Sequence, residues 1–423
     1  MMSSGKVQEK AIAVGLALPA VSRNVVEEHL DELEKLIETS GGVVVEKVFA
    51  KRTAPDAATW IGKGKAEQVK DLVERHRAAL VVFDDDLSPA QARNLERIIP
   101  AKVIDRSALI LDIFAGRARS REARTQVELA QLEYMLPRLT RQWSHLSRQA
   151  GGIGTRGVGE TQLEIDRRIV RNRISHLKDD LQRIEQSRQT QRKSRAATFT
   201  VAIVGYTNAG KSTLFNRLTS GGAVAVDKLF ATLDARSQRA AFEAPRPTVI
   251  IDTVGFIRKL PHHLVASFRS TMEEAVAADL VLHVIDVSHP QYEDQRAIGE
   301  EVLGDLGVAR DRVIEVYNKT DRADAVHIRR RNALTLSALT GCGIDCLIVA
   351  IRDRQLRGGE VMQLEIPHHE SRLLAKLHEV SEVYEQRITD QAARITAWVP
   401  QSSIHLFENF SITDFVKSVK VRA

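Results

Sequence analysis

The chain has 423 residues, of which 43% are hydrophobic and 27% charged. This composition is typical of a soluble protein with roughly two to four domains. The 61 Lys and Arg against 55 Asp and Glu permit contact with nucleic acid without demanding it. Cys342 and Cys346 cannot complete a zinc site alone, and no apolar run approaches the ~18 residues of a membrane-spanning helix. We therefore expect a cytoplasmic protein with free thiols and no membrane span.

Residues 1–117 alternate strand-like runs with amphipathic stretches. The first run contains Gly15 and directly follows Glu9 and Lys10, so it favours a β-strand over a signal peptide. The alternation predicts a small α/β domain with a parallel sheet. Its predicted strands are 11–18, 43–48, 80–83 and 102–104, and its predicted helices are 24–39, 65–78 and 89–99.

Residues 118–196 have a helical pattern. Apolar positions from Val127 to Leu139 predict one long helix, kinked at Pro137. A second apolar set has the four–three spacing of an a/d seam; it comprises Val170, Ile174, Leu177, Leu181 and Ile184. Residues 167–195 carry ten basic side chains against three acidic ones. We predict an antiparallel helical hairpin whose second helix can meet phosphate groups.

The connection between these helices, residues 151–162, is rich in glycine. It is longer than the about two to eight residues that a helix hairpin needs. Arg148 precedes it and Arg156 lies within it. Two roles stay open, a flexible connector or a mobile probe that enters a cavity lined by RNA.

A complete phosphate-binding loop, G-x-x-x-x-G-K-[ST], follows the predicted strand 198–204 and begins a helix. In this context backbone N–H groups surround a phosphate. Lys211 is expected to reach the β- and γ-phosphates and to assist catalysis, and Ser212 to ligate Mg²⁺. The nucleotide-binding residues predicted here are Gly205, Tyr206, Thr207, Asn208, Ala209, Gly210, Lys211, Ser212 and Thr213.

Two roles for Asn208 also stay open. Its amide oxygen can help to hold a monovalent cation such as K⁺ against the phosphates, as in potassium-dependent GTPases that share N-x-G-K-S. Alternatively, it only stabilises the turn, which asparagine does well.

Two further segments are expected to sense the γ-phosphate. The D-x-x-G motif Asp252-Thr253-Val254-Gly255 ends a strand, so Asp252 is expected to hold Mg²⁺ through water and the Gly255 N–H to contact the γ-phosphate in catalysis. Thr232 is predicted as the second hydroxyl ligand of the metal. Phe256 stands where many GTPases place a glutamine that orients water. This predicts slow hydrolysis by the protein alone and stimulation by a partner.

The segment Asn318-Lys319-Thr320-Asp321 indicates which nucleotide base is bound, and it follows the strand 313–317. At the carboxyl end of a sheet strand, the Asp321 carboxylate can accept hydrogen bonds from N1–H and the 2-amino group of guanine, and adenine has no such pair. The Lys319 stem can lie along the base. The segment Ser337-Ala338-Leu339 follows another strand, and the Ala338 N–H can bind the guanine carbonyl. The predicted ligands are GTP and GDP.

Beyond Gly358-Gly359, strands at 361–366, 381–388 and 393–399 and a helix at 370–380 predict a small α/β appendage. The predicted fold is thus α/β and multi-domain. Its parts are an N-terminal α/β domain (1–117), a helical hairpin (118–196), a P-loop GTPase domain (197–356) and a small C-terminal α/β domain (357–423).

The combination resembles the HflX family of translational GTPases over nearly the whole chain. Besides the GTPase motifs, the resemblance rests on the segments 60–65, 83–91, 126–130 and 154–164. Val158 departs from the proline that is usual in the family. The resemblance implies binding to the large ribosomal subunit in the GTP state and splitting of stalled ribosomes, notably after heat stress. It also implies ribosome contacts by the hairpin loop, through Arg148, Gly154, Arg156 and Gly157.

Two other functions stay open, and in each case we expect a monomer. One is a GTPase that assists ribosome assembly, which would differ in its substrate alone. The other is a nucleotide-dependent RNA-remodelling enzyme whose N-terminal domain binds a second nucleotide. Its only support is Gly62-Lys63-Gly64-Lys65, which lacks a full phosphate loop.

Overall fold

The structure, a computed structural model, divides into two compact units. One comprises residues 1–186, 226–234 and 257–270, and the other comprises 187–225, 235–256 and 271–423. The division into four domains remains a prediction. The described residues are 8–19, 23–139, 162–193, 198–219, 230, 236–244, 247–259, 274, 276–322, 324–326, 328, 333–357, 359–389 and 391–412.

The first unit contains a four-stranded parallel sheet of order β2-β1-β3-β4. Its strands are β1 (Lys10–Ala17), β2 (Val43–Lys51), β3 (Leu80–Phe83) and β4 (Lys102–Asp105). Its helices are α1 (Arg23–Ser40), α2 (Lys63–His76), α3 (Pro89–Ile98) and α4 (Arg106–Arg117). Helix α4 escaped sequence analysis because it is apolar on most sides, and seven of its twelve residues are buried. Asp105 caps it by accepting a hydrogen bond from the Ala108 N–H at 2.9 Å.

Two longer helices follow, α5 (Arg121–Met135) and α6 (Gln162–Lys193). Helix α5 ends before Pro137, and residues Leu136–Arg138 form a 3₁₀ turn, so the kinked helix to Leu139 was wrong: the proline ends the helix because it cannot donate. Arg167 near the start of α6 donates to the Leu139 carbonyl at 2.8 Å, which is the arrangement of a hairpin. On the predicted seam, Leu177 is buried and the other four residues are half-buried.

The second unit contains a six-stranded sheet of order β10-β9-β8-β5-β7-β6, parallel except for β6. Its strands are β5 (Phe199–Gly205), β6 (Arg236–Arg239), β7 (Thr248–Asp252), β8 (Leu280–Asp286), β9 (Val313–Asn318) and β10 (Leu334–Thr335). Its helices are α7 (Lys211–Leu218), α8 (Tyr292–Asp305) and α9 (Ile344–Leu356), with a 3₁₀ turn at Arg310–Arg312. Apolar side chains of β5, β8 and α7 form its core, including Val201, Leu214 and Leu282. Strand β5 lies between β7 and β8, so the connections diverge on either side of it, which is where ligands bind in open α/β sheets.

The C-terminal part of this unit is an antiparallel sheet of order β11-β13-β12. It consists of β11 (Gly359–Pro367), β12 (Glu382–Ile388), β13 (Ala392–Pro400), α10 (Ser371–Val380) and α11 (Ile404–Phe407), with 3₁₀ turns at His368–Glu370 and Glu408–Phe410. Leu364, Leu377 and Phe407 are fully buried in its core. The predicted α/β fold class is confirmed. No helix in the described part of the chain combines the length and apolar character needed to cross a membrane.

Candidate functional site: a nucleotide and magnesium site

The turn between β5 and α7 depends on glycine at both ends. Gly205 has a φ of +148°, and a Cβ there would collide with the Val284 carbonyl oxygen. Gly210 has a φ of +93°, and a Cβ would collide with the Asn318 side chain. Asn208 also has a positive φ, +63°, and is exposed. Asparagine tolerates this conformation better than most residues, which suits its role in the turn; the cation role remains a prediction.

Lys211 lies inside the turn. Its side chain is buried, and Nζ donates to the Tyr206 carbonyl at 2.8 Å. Burial lowers the pKa of Lys211 to about 8, although the Asp252 charge opposes the shift. The ammonium is therefore held by a backbone carbonyl at the position where a P-loop lysine meets phosphate oxygens.

Ser212, at the start of α7, and Asp252, at the end of β7, are expected to hold the metal, and their side chains meet. Ser212 Oγ donates to Asp252 Oδ2 at 2.9 Å, and Asp252 is fully buried at the end of β7. A hydroxyl and a carboxylate are hard oxygen ligands of the kind that Mg²⁺ prefers. The buried Thr207 hydroxyl has no hydrogen-bond partner among the described residues, so this turn retains an unused polar group. Thr232 lies outside the described residues.

The D-x-x-G segment packs directly on the phosphate loop. A Cβ on Gly255 would lie 2.7 Å from Lys211 Nζ and 2.8 Å from Thr207 Cα. The Phe256 N–H donates to the Gly205 carbonyl at 2.9 Å, and the Thr207 N–H donates to the Phe256 carbonyl at 2.7 Å. Gly255 and Lys211 are therefore neighbours, and their contacts with the γ-phosphate remain predictions. The backbone pairing of Phe256 was not predicted, because no sequence pattern reports a bridge across about fifty residues.

The Phe256 side chain points into the protein. It is buried, and its ring lies edge-on to His283, with 6.4 Å between the centroids. Burial lowers the pKa of His283 to about 4, so this imidazole is neutral near pH 7. Both side chains on this side of the motif are thus uncharged, and the phenyl ring has no group that could orient water.

Lys259, four residues after Gly255, is a functional candidate that sequence analysis missed. Its Nζ donates to Asp84 at 2.6 Å and to Asp85 at 2.5 Å, and it belongs to the first compact unit with these carboxylates. Burial lowers its pKa, but the two carboxylates outweigh this effect and the net pKa is raised. Asp84 and Asp85 lie in a segment that carries the family resemblance, but no sequence pattern indicates that Lys259 is their partner.

Two of the predicted base-binding residues, Asn318 and Ala338, meet beside the phosphate loop. Asn318 Nδ2 donates to the Ala209 carbonyl at 2.8 Å, and Oδ1 accepts from the Ala338 N–H at 2.9 Å. The Ala338 N–H is therefore bonded to Asn318 here, and its bond to guanine stays a prediction. Lys319 pairs with Asp286 at 2.7 Å and lies over Gly210. Asp321 and Leu339 are exposed, whereas Ser337 is buried.

The proposed ribosome-contacting residues Arg148, Gly154, Arg156 and Gly157 lie outside the described residues. On α6, several basic side chains have acidic partners. Arg173 pairs with Glu128 at 2.7 Å and Lys178 with Glu133 at 2.8 Å, both on α5. Arg171 is exposed and makes no ion pair with the described residues. The hairpin is thus less positive than the sequence of α6 alone indicated.

Three family models match consecutive parts of the chain. They are described as GTP-binding GTPase N-terminal (residues 27–115), GTP-binding GTPase Middle Region (117–195) and 50S ribosome-binding GTPase (200–319). Among solved structures, a GTP-binding protein from Sulfolobus solfataricus in complex with GDP is 24% identical, with a TM-score of 0.43, covering 82% of this chain and 98% of that one.

The phosphate loop, the D-x-x-G and N-K-x-D motifs and the sheet that carries them define a P-loop GTPase. GTPase HflX of Caldanaerobacter subterraneus subsp. tengcongensis is 43% identical over 408 residues, 96% of this chain and 94% of that protein. GTPase HflX of Escherichia coli is 45% identical over 367 residues, 84% of this chain and 86% of that protein. The chain belongs to the HflX GTPase family, and its activity is the hydrolysis of GTP to GDP and phosphate.

Proposed function

We propose that this GTPase acts in the cytoplasm as a monomer that binds the large ribosomal subunit in its GTP state and splits or rescues stalled ribosomes under heat or other stress. The support is family membership, together with a matched G-domain model described as a 50S ribosome-binding GTPase. The exposed basic face of α6, which includes Arg171, adds a surface that can meet phosphate.

For the nucleotide site, the carrying observation is the convergence of Lys211, the Ser212–Asp252 pair and Asn318 on one glycine-bounded turn. Ser212 and Thr232 would hold Mg²⁺ directly and Asp252 through water, and the metal would neutralise charge on the β- and γ-phosphates. Lys211 and the Gly255 N–H would stabilise charge on the γ-phosphate. Asp321 would select guanine, with Lys319 along the base and residues 337–339 around its carbonyl.

The inward side chain of Phe256 supports a slow intrinsic rate. Ribosomes or large subunits are expected to raise GTP hydrolysis well above that of the protein alone, because a partner then completes the water-positioning group. If Asn208 holds a monovalent cation, replacing K⁺ by Na⁺ should slow hydrolysis, and Asn208→Ala should abolish the difference. A rate indifferent to both ribosomes and cation would count against both ideas.

The decisive experiment is sucrose-gradient sedimentation of ribosomes with the protein and GTP, a non-hydrolysable GTP analogue, or GDP. With either triphosphate we expect protein to co-sediment with large subunits and the 70S peak to fall, and with GDP we expect neither. Precursor particles run in parallel test the alternative role in assembly, which predicts binding to precursors in preference to finished ribosomes. A 70S peak unchanged under all three nucleotides contradicts ribosome splitting.

The role of the hairpin loop is tested in the same assay. Replacing residues 151–159 by a four-residue turn should leave folding and GTP binding intact and remove splitting or ribosome-stimulated hydrolysis. Arg156→Ala should weaken ribosome binding in part and lower its salt dependence, because one phosphate contact is lost. Arg239→Ala, an exposed arginine on β6, is the control. Normal splitting by the shortened protein would reduce the loop to a connector.

A further inference from the structure

The base loop, residues 337–342, is closed by its own hydrogen bonds. The Ser337 N–H donates to the Cys342 carbonyl at 2.9 Å, and the Gly341 N–H donates to the Ser337 carbonyl at 2.8 Å. The Thr340 N–H donates to Ser337 Oγ at 3.1 Å. A turn bonded in this way moves as one piece, so its position is determined by the groups that hold it from outside.

Two side chains hold the loop at Ala338, one through the backbone N–H of this residue and the other through its carbonyl. Asn318 accepts from its N–H, as described above. Arg217 Nε donates to its carbonyl at 3.1 Å, and Arg217 Nη2 donates to the Leu339 carbonyl at 2.6 Å. The guanidinium also lies over Gly341, where a Cβ would be 3.7 Å from Cζ. The planar fork of arginine suits two neighbouring carbonyls, and a lysine could not reproduce both bonds in this geometry.

Arg217 lies in the last turn of α7, the helix whose first residue is Lys211. The two residues are six positions apart, which corresponds to about 9 Å along a rigid helix. The same helix therefore carries the phosphate-binding lysine at one end and the clamp on the base loop at the other. Asn318 forms a second connection, because it bonds both Ala209 in the phosphate loop and Ala338.

We propose that Arg217 is a positioning residue for guanine recognition, one that holds the base loop at a fixed distance from the phosphate loop. It does not touch the nucleotide. Its loss lets the base loop move away from the 6-oxo group of guanine, so nucleotide leaves faster and the preference for 6-oxo bases falls. This proposal rests on the assignment of residues 337–339 to base binding made above.

The test compares full-length wild type with Arg217→Ala, Arg217→Gln and Arg217→Lys. Arg352→Ala is the control, because Arg352, although half-buried, also donates two hydrogen bonds to backbone, both to the Glu243 carbonyl, at 2.8 and 2.5 Å. The first readout is the dissociation rate of a ribose-labelled fluorescent GDP. The second is the affinity ratio between GDP and 2-aminopurine riboside diphosphate, which lacks the 6-oxo group and also the N1–H. Because Asp321 is the same in all of these variants, a change in this ratio from one variant to another reports the contact with the 6-oxo group.

Arg217→Ala should raise the GDP dissociation rate about five- to tenfold, as expected for two charge-assisted bonds weakened by exposure. It should also lower the preference for GDP over the 2-aminopurine nucleotide by a similar factor, with Arg217→Lys and Arg217→Gln intermediate. Arg352→Ala should change neither. A purely structural role would lower the melting temperature without moving the base ratio. If Arg217→Ala fails to fold, the glutamine and lysine variants carry the test.

The proposal is overturned if GDP release is unchanged, if both nucleotides lose affinity equally, or if Arg352→Ala has the same effect. Asp321→Asn, measured in parallel, separates this failure from failure of the site assignment. If Asp321→Asn alters the preference between GDP and ADP and the Arg217 variants leave the base ratio unchanged, the base site stands and only the clamp is wrong. If Asp321→Asn leaves the preference unchanged, the base assignment itself fails.

Discussion

The four-stranded and six-stranded sheets each have a point at their carboxyl edge where the connections diverge, and the two points differ in their chemistry. In the six-stranded sheet the connections diverge around β5, and in the four-stranded sheet they diverge around β1. The first edge is made of backbone, with Gly205 and Gly210 where any side chain would collide. The second edge is made of charged side chains, with Asp84 directly after β3 and Arg106 directly after β4, both about 2% exposed.

The charged side chains of the second edge bind one another. Arg106 donates to Asp84 at 2.6 Å and to Glu32. Asp105 accepts from the Tyr134 hydroxyl at 2.8 Å and from Arg138 at 3.0 Å. In the phosphate loop, the buried Thr207 hydroxyl has no hydrogen-bond partner among the described residues. The two switch points therefore differ in what occupies them, a glycine-bounded backbone turn at one and paired charged side chains at the other.

This difference bears on a second nucleotide in the N-terminal domain. Gly62 precedes α2 with a φ of +86°, but a Cβ there would collide with the Arg52 guanidinium, so the space around this glycine is filled by the protein's own side chain. Gly62-Lys63-Gly64-Lys65 thus begins a helix without forming a turn of the phosphate-loop kind. The geometry gives that alternative no support.

The largest expected effect is a loss of folding stability when the ion pairs of the edge that contains Asp84 and Arg106 are broken. Arg106→Ala removes the buried cation that Asp84 and Glu32 share, and Asp84 keeps only Lys259, so the protein should be destabilised by about 3 kcal/mol. Denaturant unfolding followed by fluorescence measures the loss, with Arg239→Ala as the exposed control. Adding Asp84→Asn should recover part of it, because the uncompensated charge is removed. A loss under about 1 kcal/mol would mean that the network is not a closed electrostatic unit.

We call the edge with the phosphate loop the open edge, and the edge with the paired charges of Asp84 and Arg106 the closed edge. The chemistry of the open edge was far easier to predict from sequence than that of the closed edge. The phosphate loop is local: eight consecutive residues between a strand and a helix specify the turn. The Arg106–Asp84 pair joins two elements 22 residues apart, and Lys259 meets Asp84 across 175 residues. Helix α4 has no polar face to give it a period, and Pro137 is compatible with either a kink or an end. These features depend on tertiary packing, which local patterns do not contain.

The next largest effect is the pH dependence of GDP affinity, which reports the charge of Lys211 at the open edge. Because burial lowers the pKa of Lys211 to about 8, the free protein loses this ammonium as the pH rises through 8. Bound phosphates favour the charged form, so binding takes up a proton above this pH. GDP affinity should be constant below the transition and fall by up to about tenfold per pH unit above it. Titration calorimetry from pH 7 to 9 measures both affinity and proton uptake.

Lys211→Arg is the control for that titration, since a guanidinium stays charged over this range. Both proteins experience the same ionisation of the guanine base, so only the difference between their profiles reports Lys211. Parallel profiles for wild type and Lys211→Arg, with no proton uptake, would show that Lys211 is already charged in the free protein at pH 9.

The smallest expected effect concerns Lys259, where the residues after the D-x-x-G motif meet the closed edge. Its ammonium is about one-third exposed and pairs with two carboxylates, one of them the buried Asp84. Lys259→Ala removes both bonds, so the segment that follows the D-x-x-G motif along the chain loses a restraint, and the motif can change conformation more readily. Intrinsic GTP hydrolysis, measured under single-turnover conditions without ribosomes, should rise by about two- to fivefold, the effect of a partly exposed ion pair.

A charge exchange distinguishes the ion pair from other effects of the substitution. Lys259→Asp should behave like Lys259→Ala or more strongly, and the double variant Lys259→Asp with Asp85→Lys should return toward the wild-type rate. Asp85 is the suitable partner because it is the more exposed of the two carboxylates, whereas Asp84 also serves Arg106. High salt should shrink the difference between wild type and Lys259→Ala. If the hydrolysis rate is unchanged by both the substitution and the charge exchange, this ion pair only stabilises the closed edge and does not affect GTP hydrolysis.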